Sequence, residues 1–414
     1  MAENIINSNG GALSDLRVLD LTRILAGPSS TQLLGDLGAD IIKIEHPVAG
    51  DDTRKWGPPY IKDKDGADTR ESAYYLSANR NKRSVGIDLG TREGQQLVRR
   101  LIGKCDILVE NFKVGGLAKF GLSYDHLKAE FPGLIFCSIT GFGQTGPYAP
   151  RAGYDYLAQG LGGVMSITGE PDGPPTKVGV GISDIMCGMY AAVSILAAVR
   201  HRDLTGQGQY IDLALLDTQV AWLANEGLNY LTSGIVPTRR GNAHPNIVPY
   251  QLFETADDPL ILAVGNDGQF SRFCEFAGIP EIAENPLYQT NSNRVANRDA
   301  LIEILIPIVK TKPRQHWLDG LEDLGVPASP VNDIAQVFDD PQIKHRKMKV
   351  AVPHDTAAAG SVDLIANPIK MSETPVSYRY APPTLGQHTN EVLKELLGLS
   401  DDQLKVLHAD GLIS

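Results

Sequence analysis

Apolar positions in the first half of the chain follow two alternating periods. Short apolar runs at residues 16–21 (LRVLDL), 40–45 (DIIKIE), 106–109 and 134–138 read as buried strands. Between them, residues 29–37, 92–102 and 124–130 repeat their apolar positions at helical spacing. Strands that alternate with helices build βαβ units, and these close into a parallel sheet with ligands at the carboxyl ends of its strands. Further on, residues 184–201 predict an Ala-rich buried helix, 205–208 (TGQG) a turn, 209–214 a strand and 215–231 a helix. Residues 232–249, rich in Gly, Pro and Asn, read as a linker carrying functional loops. Segments 260–264, 269–276, 300–309 and 313–324 predict a smaller α/β unit, Pro327 and Pro330 mark a return linker, and helices at 390–396 and 401–407 close the chain. The expected domains are a flexible N-terminus (1–14), the main part of a large domain (15–224), a linker and small domain (225–330), and a return to the large domain (331–414).

The net charge is −11. An acidic surface argues against nucleic acid or an anionic membrane as partner, yet allows an anionic small ligand where cations gather locally. The longest strongly apolar stretch, residues 186–199, includes Gly188 and Ser194 and is short for a membrane span. Residues 1–11 lack a basic start followed by an apolar stretch, so no secretory signal is expected. Cys105, Cys137, Cys187 and Cys274 form no CxxC pair, which fits a reducing, cytoplasmic setting. The turn after the first strand, Arg23 to Pro28, has no GxGxxG, so a dinucleotide cofactor is not expected. No histidine spacing of HExxH type and no GxSxG elbow occurs, and no metal is expected.

Asp184 stands just before the apolar helix, in GVGISD. Its plain reading is a helix N-cap. The same place gives a functional reading: the helix dipole keeps a carboxylate ionised, and an ionised carboxylate can attack a thioester carbonyl. Backbone N–H groups nearby would hold the oxyanion that develops. The run Asn79-Arg80-Asn81-Lys82-Arg83-Ser84 is either a solvated loop or a phosphate site, since Arg and Lys pair well with phosphate oxygens. Lys113 and Lys119 follow a strand at the ligand edge of the sheet. The loop 241–250 (GNAHPNIVPY) is an ordered linker or a place for substrate contacts, with His244 a weak catalytic candidate alone.

Taken in order, LRVLDLTRILAGP, LGADIIKIEHP, ANRNKRSVGIDL, LVENFKVGGLAKFGL, SITGFGQTGPYAPRAGYDYLAQG, GQGQYIDLALLD and LGQHTNEVLKEL resemble the family III CoA-transferases, also called the carnitine/bile-acid CoA-transferase family. The resemblance runs from residue 16 to residue 396. It implies a Rossmann-like large domain and a small α/β domain, in ring-shaped subunits interlocked as a homodimer. It implies an enzyme that takes acyl-CoA and carboxylic acid substrates, with coenzyme A as substrate and product and no tightly bound cofactor. Asp184 falls at the family's nucleophile. Leu25, Ala26, His46, Arg80, Arg83, Ile87, Leu89, Asn111, Phe112, Lys113, Lys119, Arg151, Tyr154 and Asp155 fall at CoA-contacting positions or beside them. His46 and Lys119 stand where formyl-CoA transferases carry arginines.

Related α-methylacyl-CoA racemases place a histidine where Tyr154 stands. A phenol with a pKa near 10 is a poor base at neutral pH, so the transferase is favoured over the isomerase. A CoA-binding subunit of a heteromeric transferase is the other alternative. Formyl-CoA transferases carry a glycine run where this chain has 243–248. GNAHPNIVPYQ looks more like members that use succinyl-CoA and a dicarboxylic acid such as glutarate, whose far carboxylate would meet Arg240, Gly241, Asn242 and His244, with Arg239 beside them.

Overall fold

The computed structural model describes residues 11–414; the flexible N-terminus expected over 1–14 therefore falls mostly outside the described residues. The chain divides into two units. Unit 1 runs to Gly163 and resumes over Val178–Trp222 and Pro341–Ser414, while unit 2 comprises Val164–Lys177 and Leu223–Asp340.

Unit 1 is built on a six-stranded, all-parallel sheet: β1 (Arg17–Asp20), β2 (Asp40–Glu45), β3 (Lys82–Gly86), β4 (Ile107–Glu110), β5 (Ile135–Thr140) and β6 (Tyr210–Ala214), in the order β3-β2-β1-β4-β5-β6. The order reverses direction between β1 and β4, and that point in a doubly wound sheet opens a crevice at the strand carboxyl ends. Strand alternation sends Leu19, Ile42, Leu108 and Phe136 to one face, where they pack with Val98 and Leu101 of α2 (Arg92–Ile102). Leu393 of α11 (Thr389–Leu397) and Leu404 of α12 (Asp401–Ala409) complete that layer. Val18, Ile41, Ile107 and Ile135 point to the other face, toward Leu34 of α1 (Ala26–Asp36) and Cys187, Ala191 and Ile195 of α4 (Ile182–Thr205).

The 24 residues of α4 are long and apolar enough, by length and composition, to cross a membrane. Here its small residues serve close packing. A Cβ on Gly188 would collide with the Ala26 carbonyl of α1, so only glycine lets the two helices approach this far.

Three expectations change. The basic run 79–84 is only partly a loop: residues 79–81 form a turn, and Lys82–Gly86 is the edge strand β3, with every residue buried. Its charges hid the strand period, and tertiary ion pairs explain how they are buried. The helix expected over 215–231 breaks into α5 (Leu215–Ala221) and α6 (Ala224–Ser233), and unit 1 ends at Trp222, between them. Finally, α4 starts at Ile182 with Gly181 as its cap, so Asp184 lies inside the first turn rather than at the N-cap.

Unit 2 has a three-stranded antiparallel sheet of β7 (Tyr250–Phe253), β8 (Leu260–Ala263) and β9 (Ala328–Pro330), in the order β9-β8-β7. Its core joins Phe253, Leu260 and Leu262 to Phe270 and Phe273 of α7 (Asp267–Phe276), Leu301 and Leu305 of α9 (Arg298–Val309), and Trp317 of α10 (Arg314–Asp323). The short helix α8 (Asn291–Ala296) precedes α9.

Candidate active site

A cavity of about 160 Å³ opens at the switch point of the unit 1 sheet. The turn after β1 supplies Arg23, Ile24 and Ala26, the turn after β4 supplies Asn111, Phe112 and Lys113, and the segment after β5 supplies Arg151 and Tyr154. Asp184 reaches it from α4.

The first two turns are locked together. Asn111 accepts the Arg23 N–H at 2.9 Å and donates to the Arg23 carbonyl at 2.7 Å. Ile24 adopts φ 74, a left-handed conformation that costs a β-branched residue energy. Its N–H reaches Asp51 Oδ1 at 3.3 Å, and Asp51 is anchored by a buried ion pair with Lys43 at 2.9 Å. The third segment is set by a glycine contact. A Cβ on Gly141 would run into the backbone of Gly153, so these two glycines bring 151–154 against the end of β5.

Asp184 is 7% exposed. Burial pushes its carboxyl up to about 7, the nearby Asp155 carboxylate adds to the rise, and no cation opposes them. The helix dipole was expected to keep the group ionised; desolvation and a like charge outweigh it.

Asp155 stands at the first turn of α3 (Asp155–Leu161), yet its Oδ1 accepts the backbone N–H groups of Ser183 at 2.8 Å and Asp184 at 3.3 Å. A carboxylate from another helix thus caps α4. These two amides are therefore taken, so an oxyanion would have to be held by other backbone N–H groups. Gln159 fixes Asp155 by donating to Oδ2 at 2.7 Å and accepts the Val178 N–H at 2.9 Å. Ser183 Oγ donates to Gln219 at 2.7 Å. Tyr74, which sequence reasoning missed, has its phenol pushed up to about 12 by burial first and then by Asp184 and Asp155, so its hydroxyl stays protonated beside the two carboxyls.

Other candidates fall in various places. Leu25 is buried and packs near Gly181, and Ala26 lines the cavity. His46 is exposed after β2 and accepts the N–H groups of Val48 and Ala49 through Nδ1. Leu89 is half-buried against the core, and Lys119 is exposed over the Phe120 ring. Arg151 stacks on Tyr148 at 3.9 Å. Ile87 is buried in the core, so its side chain meets no ligand.

Arg80 and Arg83 are corrected as well. Arg80 makes a forked pair with Asp36 at 2.6–3.2 Å, and Arg83 binds Asp40 at 2.6 Å and Glu395 at 2.6 Å. Both guanidiniums are spent on neighbours within the fold and leave no fork for phosphate. Lys82 is likewise buried on Asp20 at 3.1 Å. Arg240, Gly241, Asn242 and His244 belong to unit 2. Besides Tyr74, the sequence reading missed Arg23 and Asp52, a cavity-lining pair 2.8 Å apart. The one sequence signal for Arg23 is its place just after the first strand, in the turn where a doubly wound sheet gathers ligand contacts.

A doubly wound α/β fold with a buried carboxyl at its switch point thus frames the site. The chain belongs to CoA-transferase family III, whose model matches residues 13–389. It is 50% identical over 384 residues to the succinate–glutarate CoA-transferase of Agrobacterium fabrum, covering 93% of this chain and 95% of that one. With the succinyl-CoA:glutarate CoA-transferase of Homo sapiens it shares 41% identity over 401 residues, or 97% and 90% of the two chains. The crystal structure of a CAIB/BAIF family protein from Brucella suis matches with a TM-score of 0.82 and 48% identity, covering 94% of this chain and all of that one.

Proposed function

We propose that the protein moves coenzyme A from succinyl-CoA to a dicarboxylic acid such as glutarate, through a covalent intermediate on Asp184. One observation carries this reading: Asp184 is a buried carboxyl without a cation partner, lining the switch-point cavity. The names of the relatives support the acid pair.

In the first step ionised Asp184 attacks the thioester carbon, forming an acyl-aspartyl anhydride and releasing the CoA thiolate. The thiolate attacks the aspartyl carbonyl, giving an aspartyl-CoA thioester and free succinate. The acceptor carboxylate attacks that thioester, forming a second anhydride and thiolate; thiolate attack on the acceptor's acyl carbon then releases the new acyl-CoA and restores Asp184. One thioester is exchanged for another, so no external energy source is needed. The buried, poorly solvated carboxylate is a stronger nucleophile than an exposed one, and the enclosed site slows hydrolysis of the anhydrides. Lys113, Arg151 and Arg23 are the cations of the cavity, and we assign them to CoA. The interlocked homodimer belongs to this proposal, as does a cytoplasmic location. The acceptor's far carboxylate is assigned to Arg240, Gly241, Asn242 and His244.

The test is to incubate the protein with succinyl-CoA and a panel of acids and detect new CoA thioesters by mass spectrometry. Glutarate should give a product, and hydroxylamine should convert Asp184 to a hydroxamate. Asp184→Ala should bind CoA and transfer nothing; near-normal transfer by that variant would reject the mechanism.

A further inference from the structure

The loop 241–250 of unit 2 is fastened from one side by α8 and α9. Asn291, Arg294 and Arg298, spaced three and four residues apart, reach successive parts of it. Asn291 donates to the Asn246 carbonyl at 2.8 Å, and Arg294 donates to that of Val248 at 2.7 Å. Arg298 Nη2 spans the carbonyls of His244 at 2.7 Å and Pro245 at 2.9 Å. The consecutive carbonyls of His244 and Pro245 are thus held by one nitrogen of a planar guanidinium.

Arg298 is not neutralised by this task. Its Nη1 is enclosed without a hydrogen-bond partner among the described residues, and burial first, then the Arg240 charge, push its pKa down. The imidazole next to Arg298 is also defined. His244 Nδ1 accepts the Asn246 N–H at 3.1 Å, so the ring proton sits on Nε2, which is a donor. Burial and then Arg298 hold the His244 pKa below its ordinary value, with Glu226 opposing, and Asp299 counters Arg298 in turn. Tyr250 packs its ring 5.2 Å from the imidazole. His244 is therefore neutral at neutral pH and offers one N–H on the same loop that carries the exposed Arg240.

We propose that Arg298 is the positioning residue of a carboxylate-recognition site, in which His244 Nε2–H and Arg240 contact the free carboxylate of a dicarboxylic substrate. This inference rests on the transferase reading above. Arg298 acts through the loop and touches no reacting atom. It fixes the backbone on which His244 rides and keeps the imidazole uncharged. A neutral donor next to a single cation distinguishes a dicarboxylic acid from a monocarboxylic one, since the latter leaves both groups unsatisfied.

The test compares Arg298→Gln and Arg298→Lys with the unaltered protein, using glutarate and pentanoate as acceptors and succinyl-CoA as donor. Arg298→Gln should raise the KM for glutarate about tenfold or more, while the KM for pentanoate changes by less than about twofold. NMR titration of His244 should show its pKa rising toward 6.5 in Arg298→Gln and staying lowered in Arg298→Lys. A purely structural role would shift both acceptors together, and that result, or an unmoved His244 titration, overturns the proposal. If Arg298→Gln does not fold, Arg240→Gln at the exposed partner carries the test: it should show the same selective loss, and equal effects on both acceptors overturn the idea. If the unaltered protein makes no new thioester from either acid, the transferase reading fails instead, which the unaltered control shows separately.

Discussion

Asp184 and Asp155 form an unequal pair of carboxyls. Asp155 accepts hydrogen bonds from two backbone N–H groups and from Gln159, while Asp184 has only burial and a like charge acting on it. The rate of the first acyl transfer should therefore rise with pH through about 7 rather than near the ordinary carboxylate range. Asp155→Asn removes the like charge and should move that limb to lower pH, as read from kcat/KM across pH. The same group costs stability. Its folded pKa lies above the ordinary carboxylate value of 3.8, so the folded state binds more protons between about 4 and 7. Stability from this group falls as pH rises through that window, and the full cost is present above 7. Asp184→Asn should melt higher than the unaltered protein at pH 8, by up to about 4 kcal/mol, with the gap closing toward pH 4. The sequence made Asp184 legible through its glycine-rich approach and the apolar helix that follows. Its protonation was not legible, because Asp155 comes 29 positions earlier and meets it only through the fold.

At the scale of elements, β3 shows what periodicity misses. Lys82 and Arg83 look solvent-bound in sequence, yet both are buried in ion pairs with side chains of other elements, and Arg80 before them is too. Arg80→Met would leave Asp36 buried without its guanidinium and should cost about 3 kcal/mol or more. If Arg80 is structural as its geometry says, calorimetry will show lowered stability while CoA affinity per folded molecule is unchanged. A phosphate-binding Arg80 would show the reverse. The other strands of the parallel sheet were readable because their runs are apolar, as a sheet covered by helices on both sides requires, whereas Tyr250–Phe253 and Ala328–Pro330 fell in stretches read as loop and linker. The turn after β1 was readable by position, whereas the Asn111 clamp and the Gly141–Gly153 contact were not, since each joins segments distant in sequence.

For the whole molecule, the order and spacing of strands and helices gave the doubly wound class before any contact was known. The exact units were less legible. The Val164–Lys177 segment belongs to unit 2 although it lies between two parts of unit 1, and its Gly/Pro-rich run GEPDGPP alone reads equally as a surface loop. Each unit also exposes apolar side chains: Met189, Tyr190 and Val193 along α4, and Leu228, Tyr230 and Leu231 along α6. Surfaces of this kind are usually covered by a partner. The proposed homodimer would be seen as a light-scattering mass twice the chain's 44.7 kDa, persisting on dilution. A monomeric mass would remove the interlocked arrangement from the proposal.

The carboxylate of Asp155 seated at the mouth of α4 has one more consequence. Helix mouths attract small inorganic anions, and a cell is full of phosphate, chloride and bicarbonate. Here that berth is already filled from within the chain, by a group that cannot diffuse away. The reactive carboxyl next to it is spared a crowd of competitors, and the only negative charge it must tolerate is one whose distance the fold has fixed.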